Sequence, residues 1–131
     1  MKLSKLKNEL HLQACEILKK DRLTNDEKLF VINNWHEGAT HMNGLAGAFF
    51  TPDGLAQDLA IEVNPGRIVD LCAGIGVLAW NCQQMHERRL RPNEPNKYGS
   101  EFVCVELNPD YVAVGKKIIP EAEWICGSVF D

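Results

Sequence analysis

Two stretches near the N-terminus carry apolar residues at intervals of three and four positions. In the first, residues 3–20, they are Leu3, Leu6, Leu10, Ala14, Ile17 and Leu18. This spacing predicts an amphipathic helix with lysines on its other face. The second begins at Thr24, a capping-box partner for Glu27, and is predicted to run as a helix to Gly38 with the apolar positions Leu29, Phe30, Ile32 and Trp35. Both helices belong to a predicted N-terminal helical cap, residues 1–43.

A third helix is predicted after a loop rich in small residues. Thr51 is the expected N-cap and Pro52 the first helical residue, because a threonine oxygen satisfies a free N–H and proline lacks one. The apolar positions Leu55, Leu59 and Ile61 continue the helix.

Three short apolar runs, residues 67–71, 101–106 and 122–126, predict β-strands. A helix from about residue 77 to 89 separates the first two strands, and Pro109 opens another helix before the third. Strands that alternate with helices predict an α/β fold with a parallel sheet. Right-handed crossovers place the strands in the order third, second, first, which leaves the first strand at an open edge.

Composition adds few constraints. The 131 residues are 45% apolar and carry a net charge of −4, as expected of one globular domain or part of one. The N-terminus has no continuous apolar run, so we expect a cytoplasmic protein without a signal peptide or a membrane partner. The negative charge argues against this chain alone gripping a nucleic-acid backbone, but it leaves a nucleic-acid substrate open.

The cysteines and histidines favour neither disulfides nor a metal site. The five cysteines include no C-x-x-C pair, and Cys72, Cys104 and Cys126 lie on or beside predicted strands, so we expect reduced, buried side chains. His36 and His41 belong to an H-E-x-x-x-H run, whose spacing does not place both imidazoles on one helix face. We therefore expect no metal there.

A glycine-rich turn between the first strand and its helix is the strongest chemical signal. Gly74, Gly76 and Ala79 have the spacing of the dinucleotide fingerprint, which expects a pyrophosphate at the helix start. Asp70, at the end of the strand, would repel a pyrophosphate but would suit an ammonium or sulfonium group. S-adenosylmethionine carries both cations.

Residues 69–76, Val-Asp-Leu-Cys-Ala-Gly-Ile-Gly, resemble motif I of the class I, Rossmann-like methyltransferases. Residues 47–56, which contain Phe-Phe-Thr-Pro, are similar to motif X of the N6-adenine DNA methyltransferases, and residues 105–109 and 122–131 to motifs II and III. The resemblance spans residues 44–131 with the motifs in family order. It implies the S-adenosylmethionine-binding part of a methyltransferase, with a partial Rossmann-like sheet of three parallel strands.

The resemblance also implies roles for individual residues. The implied residues contact the methionine moiety, the ribose and the adenine of the cofactor. The residues implied are Phe50 and Thr51 at the methionine moiety, Asp70, Cys72, Ala73, Gly74 and Gly76 along the turn, Glu106 on the ribose, and Leu107, Phe130 and Asp131 around adenine. None of them is implied to be a catalytic residue.

The implied activity is methylation of adenine N6 in DNA, of the restriction-modification or phage type, with this chain as the cofactor-binding half. The sequence has no Asp/Asn-Pro-Pro-Tyr/Phe loop, the motif IV that orients the target amine in that family. Residues 108–111, Asn-Pro-Asp-Tyr, are interpreted as a helix start. Without motif IV, a non-catalytic cofactor-binding or interaction fragment stays open.

Two other enzyme classes share part of the pattern. Methyltransferases of protein glutamine or of RNA share motifs I to III, and an NAD-dependent oxidoreductase shares the glycine spacing. For the parent protein the resemblance implies DNA as partner. The open edge of the first strand also predicts pairing with a second copy of the chain, since an unpaired apolar edge tends to associate.

Overall fold

The computed structural model describes residues 2–36, 50–89 and 100–130. The chain divides into two compact units, Met1–Phe49 and Phe50–Asp131. In the described residues, the first unit holds two helices and the second holds three helices and three strands. Within these ranges, no helix combines the length and apolar character needed to cross a membrane.

The described part of the first unit contains α1 (Lys2–Ile17) and α2 (Asn25–Asn34). The predicted capping box is confirmed: the Glu27 N–H donates to Thr24 Oγ1 (3.2 Å), and the Thr24 N–H donates to Glu27 Oε1 (3.0 Å). The predicted end at Gly38 is wrong, because Trp35 leaves the helical region at ψ 135°.

The buried face of α1 differs from the predicted one. Ala14 and His11 are buried, whereas Leu6 is 51% exposed. The His11 ring instead lies beside the rings of Trp35 and His36, with centroids 6.0 and 4.5 Å away. The pattern of apolar residues missed this position because it counts histidine as polar. His41 lies outside the described residues.

The second unit is built on a parallel sheet of β1 (Arg67–Asp70), β2 (Glu101–Glu106) and β3 (Glu123–Cys126), in the order β1-β2-β3. Asp70 is in register with Cys104, and both strand pairs are parallel. The α/β class and the three parallel strands, preceded by N-terminal helices, are confirmed, as expected of a partial Rossmann-like sheet. Among the described strands, β1 is at an edge.

Three helices accompany the sheet: α3 (Asp53–Ile61), α4 (Val77–Arg89) and α5 (Pro109–Ile118). Both α4 and the proline start of α5 agree with the sequence pattern. On α5, the Asn108 side chain caps the helix by accepting the Asp110 N–H (2.9 Å). The strand-helix alternation therefore follows the predicted order.

Helix α3 departs from the prediction in two ways. Its N-cap is Pro52 and not Thr51, because Pro52 is still extended at ψ 143°, and no side chain caps this end. Its buried residues are Ala56 and Ala60. The larger apolar side chains are about half exposed, and these are Leu55, Leu59 and Ile61. Small alanines face α4 because they allow the two helices to pack closely.

The core of this unit lies on one face of the sheet. Its members are Ala60, Ala73, Ala79, Cys82, Phe102, Cys104 and Ile119, with Ile68 and Trp124 packed against them. Trp124 also packs on Gly115 of α5 and donates its indole N–H to the Ile119 carbonyl (3.1 Å). On the opposite face, Val69 is 53% exposed and Ile125 is 45% exposed.

The expectation that all five cysteines are buried is wrong. Cys82 and Cys104 are buried, Cys15 is half-buried, and Cys72 and Cys126 are exposed. Cys72 lies in the turn after β1 and Cys126 is the last residue of β3, so both are at the carboxyl edge of the sheet. All five thiols are free.

Candidate cofactor-binding site

Two carboxylates lie at the carboxyl edge of the sheet. Asp70 ends β1 and Glu106 ends β2, and these two strands are neighbours. The turn after β1 bends towards β2, because the Ala73 N–H donates to the Val105 carbonyl (3.0 Å). Ligands of open α/β sheets bind in the crevice at this edge.

Glu106 is fixed by backbone donors from two turns. Its Oε1 accepts the Gly74 N–H (3.1 Å) and its Oε2 accepts the Asn108 N–H (2.7 Å). Its own carbonyl accepts the Gly127 N–H (3.0 Å). Each carboxylate oxygen has a second lone pair, so the oriented carboxylate can still accept hydrogen bonds from a ligand.

The glycine turn requires its glycines. Gly74 has φ +57° and Gly76 has φ +91°, a region that other L residues rarely adopt. A Cβ on Gly74 would lie 3.1 Å from Phe50 Cδ1. The turn closes with the Gly76 N–H donating to the Ala73 carbonyl (2.9 Å), directly before α4 begins. A side chain at Gly74 would therefore strain the backbone and require the Phe50 ring to shift.

Phe50 lies against the glycine turn. Besides its approach to Gly74, its ring meets Tyr111 of α5 edge-on, with centroids 5.0 Å apart and planes at 74°. Such aromatic pairs contribute about 0.5–1.5 kcal/mol beyond their buried area. The segment that resembles motif X thus contacts the turn that resembles motif I. Tyr111 was not singled out by the sequence pattern, since it reads as an ordinary apolar position of α5.

Asp70 is in an environment that opposes its charge. Burial raises the pKa of this carboxyl, the neighbouring Glu106 charge raises it further, and the hydrogen bond from the Cys72 N–H (3.3 Å) partly offsets both effects. A bound cation would relieve the desolvation and the repulsion between the two carboxylates. The edge is therefore suited to a positively charged group.

Two buried thiols lie near Asp70. Burial and, to a lesser extent, the Asp70 charge raise the pKa of Cys104 to about 12 and also raise the pKa of Cys82. Both thiols stay protonated at neutral pH, so they act as small apolar groups and not as nucleophiles. Strand register brings Cys104 beside Asp70, which a linear motif does not reveal.

The other predicted site residues differ in exposure. Ala73 is buried, Cys72 is exposed, and Leu107, which follows Glu106, is 68% exposed. Phe130 is 93% exposed, and Asp131 lies outside the described residues. Thr51 is half-buried beside Phe50 in the chain. The structure thus brings Phe50, the glycine turn, Asp70 and Glu106 together, and it leaves Leu107 and Phe130 open to solvent.

The charges at this edge distinguish two kinds of ligand. A pyrophosphate would lie beside two carboxylates and be repelled. S-adenosylmethionine carries an ammonium group and two ribose hydroxyls, all donors that carboxylates accept. The residues present therefore fit the methyl donor, with a glycine turn that lets a ligand approach the backbone.

Comparison with known proteins gives a weak structural likeness. No protein-family model matches the sequence, and no curated protein matches it. The chain is similar to the crystal structure of a TehB-like SAM-dependent methyltransferase from Corynebacterium glutamicum ATCC 13032 Kitasato, with a TM-score of 0.38 and 18% identity. The match covers 56% of this chain and 34% of that chain, so this chain spans about a third of that protein. Likeness at this level does not establish an activity.

Proposed function

We propose that the second unit binds S-adenosylmethionine as the donor-binding part of a methyltransferase. The observation that carries the proposal is the pairing of Asp70 and Glu106 at the end of adjacent strands, with Glu106 held by the Gly74 N–H. A dicarboxylate edge on a glycine turn accepts a cationic ligand that has vicinal hydroxyls.

Each residue has a defined task in this proposal. Asp70 holds the ammonium group, where burial makes the charge pair stronger than in water. Glu106 accepts the two ribose hydroxyls, and its fixed orientation lowers the entropic cost of binding. Phe50 covers the turn at Gly74 and limits the access of water to the methionine end.

The proposed reaction needs no proton-transfer residue at this edge. A sulfonium methyl group is already activated, so alignment of donor and acceptor supplies most of the rate. The sequence contains no Asp/Asn-Pro-Pro-Tyr/Phe loop to orient an acceptor amine. We therefore assign donor binding to this chain and propose adenine N6 in DNA as the acceptor of the parent reaction, on the basis of the motif X resemblance around Phe50 and Thr51.

The donor assignment is tested by thermal unfolding with a ligand panel. S-adenosylmethionine and S-adenosylhomocysteine at 100 times their dissociation constants should stabilise the fold by about 2.7 kcal/mol. NAD, offered at the same concentration, should give no shift. Stabilisation by NAD alone would overturn the proposal in favour of a dinucleotide site.

The acceptor assignment is tested by pull-down with immobilised nucleic acids and peptides. With S-adenosylhomocysteine present, we expect the parent protein that contains this chain to prefer adenine-containing DNA over RNA and over a glutamine-containing peptide. Preference for the RNA or the peptide would transfer the proposal to those acceptor classes and leave the donor site intact.

A further inference from the structure

A groove in the first unit is distinct from the site described above. Its volume is about 570 Å³, and its described lining consists of Ser4, Lys7, Asn8, Leu10, Asn33, Asn34, Trp35 and His36. Ser4, Lys7 and Asn8 are three and four positions apart on α1, so they share one helix face. The other wall is the end of α2 and the two residues after it. Among the described residues, the groove is thus lined by polar side chains together with Leu10 and Trp35.

A hydrogen bond connects the two walls of the groove. The His36 N–H donates to His11 Nδ1 (3.1 Å), which ties the residues after α2 to α1. The Asn34 side chain donates to the Phe30 carbonyl (2.8 Å), so its amide oxygen keeps acceptor capacity. His36 Nε2 is buried and has no hydrogen-bond partner among the residues that the structure describes.

The charge of this unit is opposite to that of the whole chain. Residues 1–49 contain seven lysines and arginines and six carboxylates, whereas the net charge of the chain is −4. Lys7 is exposed in the groove, and no carboxylate occurs among the lining residues named above. An ammonium group beside amides and an indole ring suits a ligand that has a negative charge, a hydrogen-bonding edge and a flat face.

We propose that this groove binds a nucleotide of a nucleic-acid strand. Lys7 contacts a phosphate, Trp35 supplies a stacking surface for a base, and the amides of Asn8 and Asn33 meet the base edge. Aromatic stacking of this kind stabilises a bound strand and tolerates any sequence. The inference concerns the acceptor side of the proposed methyl transfer and rests on that proposal for its biological meaning.

The test is fluorescence anisotropy with a labelled single-stranded oligodeoxynucleotide and the whole chain, without methyl donor, over a range of salt concentrations. Lys7→Gln should weaken binding and reduce the slope of log K against log salt by about 0.7, the value for one phosphate contact on a single strand. The matched control is Lys5→Gln on the same helix, which removes an exposed lysine that is not among the described lining residues. It should leave the slope unchanged.

Three results would overturn the inference: no binding at low salt, equal slopes for Lys7→Gln and the parent chain, or equal losses in both lysine variants. An unlabelled deoxynucleoside monophosphate that competes as well as an unlabelled strand would show a free-nucleotide site and not a strand site. Because the titration contains no methyl donor, a failure to bind the oligonucleotide does not affect the cofactor proposal. A failure to bind the methyl donor likewise does not affect the proposal for the groove.

Discussion

Asp70 combines an unfavourable environment with a proposed binding role. Its pKa is raised by burial and by Glu106, which means that ionising it costs folding free energy. We therefore expect Asp70→Asn to raise the melting temperature of the free chain, because the amide is neutral and can still accept the Cys72 N–H. A gain of 1 kcal/mol corresponds to about 4–8 °C in a small domain. Differential scanning calorimetry measures the shift.

The same variant should lose stabilisation by the methyl donor. A variant that is more stable but no longer binds the donor identifies Asp70 as a binding residue. Removal of a structural carboxylate would instead lower both the stability and the donor binding. A lower melting temperature for Asp70→Asn would contradict this interpretation of Asp70.

His11 makes the first unit sensitive to acid. Burial and the nearby His36 lower the pKa of His11 below its usual 6.5. The unfolded chain therefore takes up a proton at a higher pH than the folded chain. The free energy of unfolding is greatest above about pH 6.5 and falls as the pH decreases through that value. Protonation would also remove the Nδ1 acceptor of the His36 N–H.

Helical circular dichroism during thermal unfolding checks this at neutral pH and at about pH 5, below the usual imidazole pKa. His11→Asn retains an acceptor near the place of Nδ1 and should flatten the pH dependence of the melting temperature. An unchanged pH dependence in this variant would assign the effect to another group.

At the scale of elements, Gly115 determines how closely α5 approaches β3. A Cβ there would lie 2.1 Å from the Trp124 ring, closer than atoms can approach. Gly115→Ala should therefore destabilise the fold by about 1–3 kcal/mol through overpacking. Urea unfolding followed by tryptophan fluorescence measures the loss.

Gly54 on α3 provides the matched control, because a Cβ there meets nothing within 4 Å. Gly54→Ala should be neutral or stabilising by up to about 1 kcal/mol, since alanine loses less backbone entropy in a helix. Equal losses in the two variants would mean that the contact between Trp124 and Gly115 is not responsible.

Local patterns predicted the elements whose determinants are local. The capping pair of Thr24 and Glu27, the proline start at Pro109 and the glycine turn before α4 are each determined by neighbouring residues. Sequence patterns did not predict the features that depend on contacts between residues distant in the chain. Helix α3 buries its alanines, and the buried position of His11 depends on Trp35 and His36.

The candidate site could also be predicted from the sequence only in part. Asp70 and Glu106 could be predicted because each ends a predicted strand, and parallel strands end at one edge. The hydrogen bond from Gly74 to Glu106 joins residues 32 positions apart, and the ring contact joins Phe50, which precedes α3, to Tyr111 of α5. Neither follows from spacing along the chain.

At the scale of the whole molecule, the sheet of the second unit has an exposed side. Val69 of β1 is 53% exposed on an edge strand, and an edge of this kind tends to pair with another chain. We expect concentration-dependent self-association in size-exclusion chromatography with light scattering. Val69→Lys should shift the population towards monomer, because a charged side chain on an edge strand opposes pairing. A monodisperse monomer at all concentrations would contradict this expectation.

The central claim is that Asp70 and Glu106 bind a methyl donor, and calorimetric titration with S-adenosylhomocysteine tests it most directly. We expect the parent chain to bind, and Asp70→Asn and Glu106→Gln each to weaken binding about tenfold or more, since each loses charge-assisted hydrogen bonds. Glu123→Gln, an exposed glutamate at the opposite end of β3, should bind like the parent chain. Binding that survives in both site variants, or a folded parent chain that does not bind, would contradict the account.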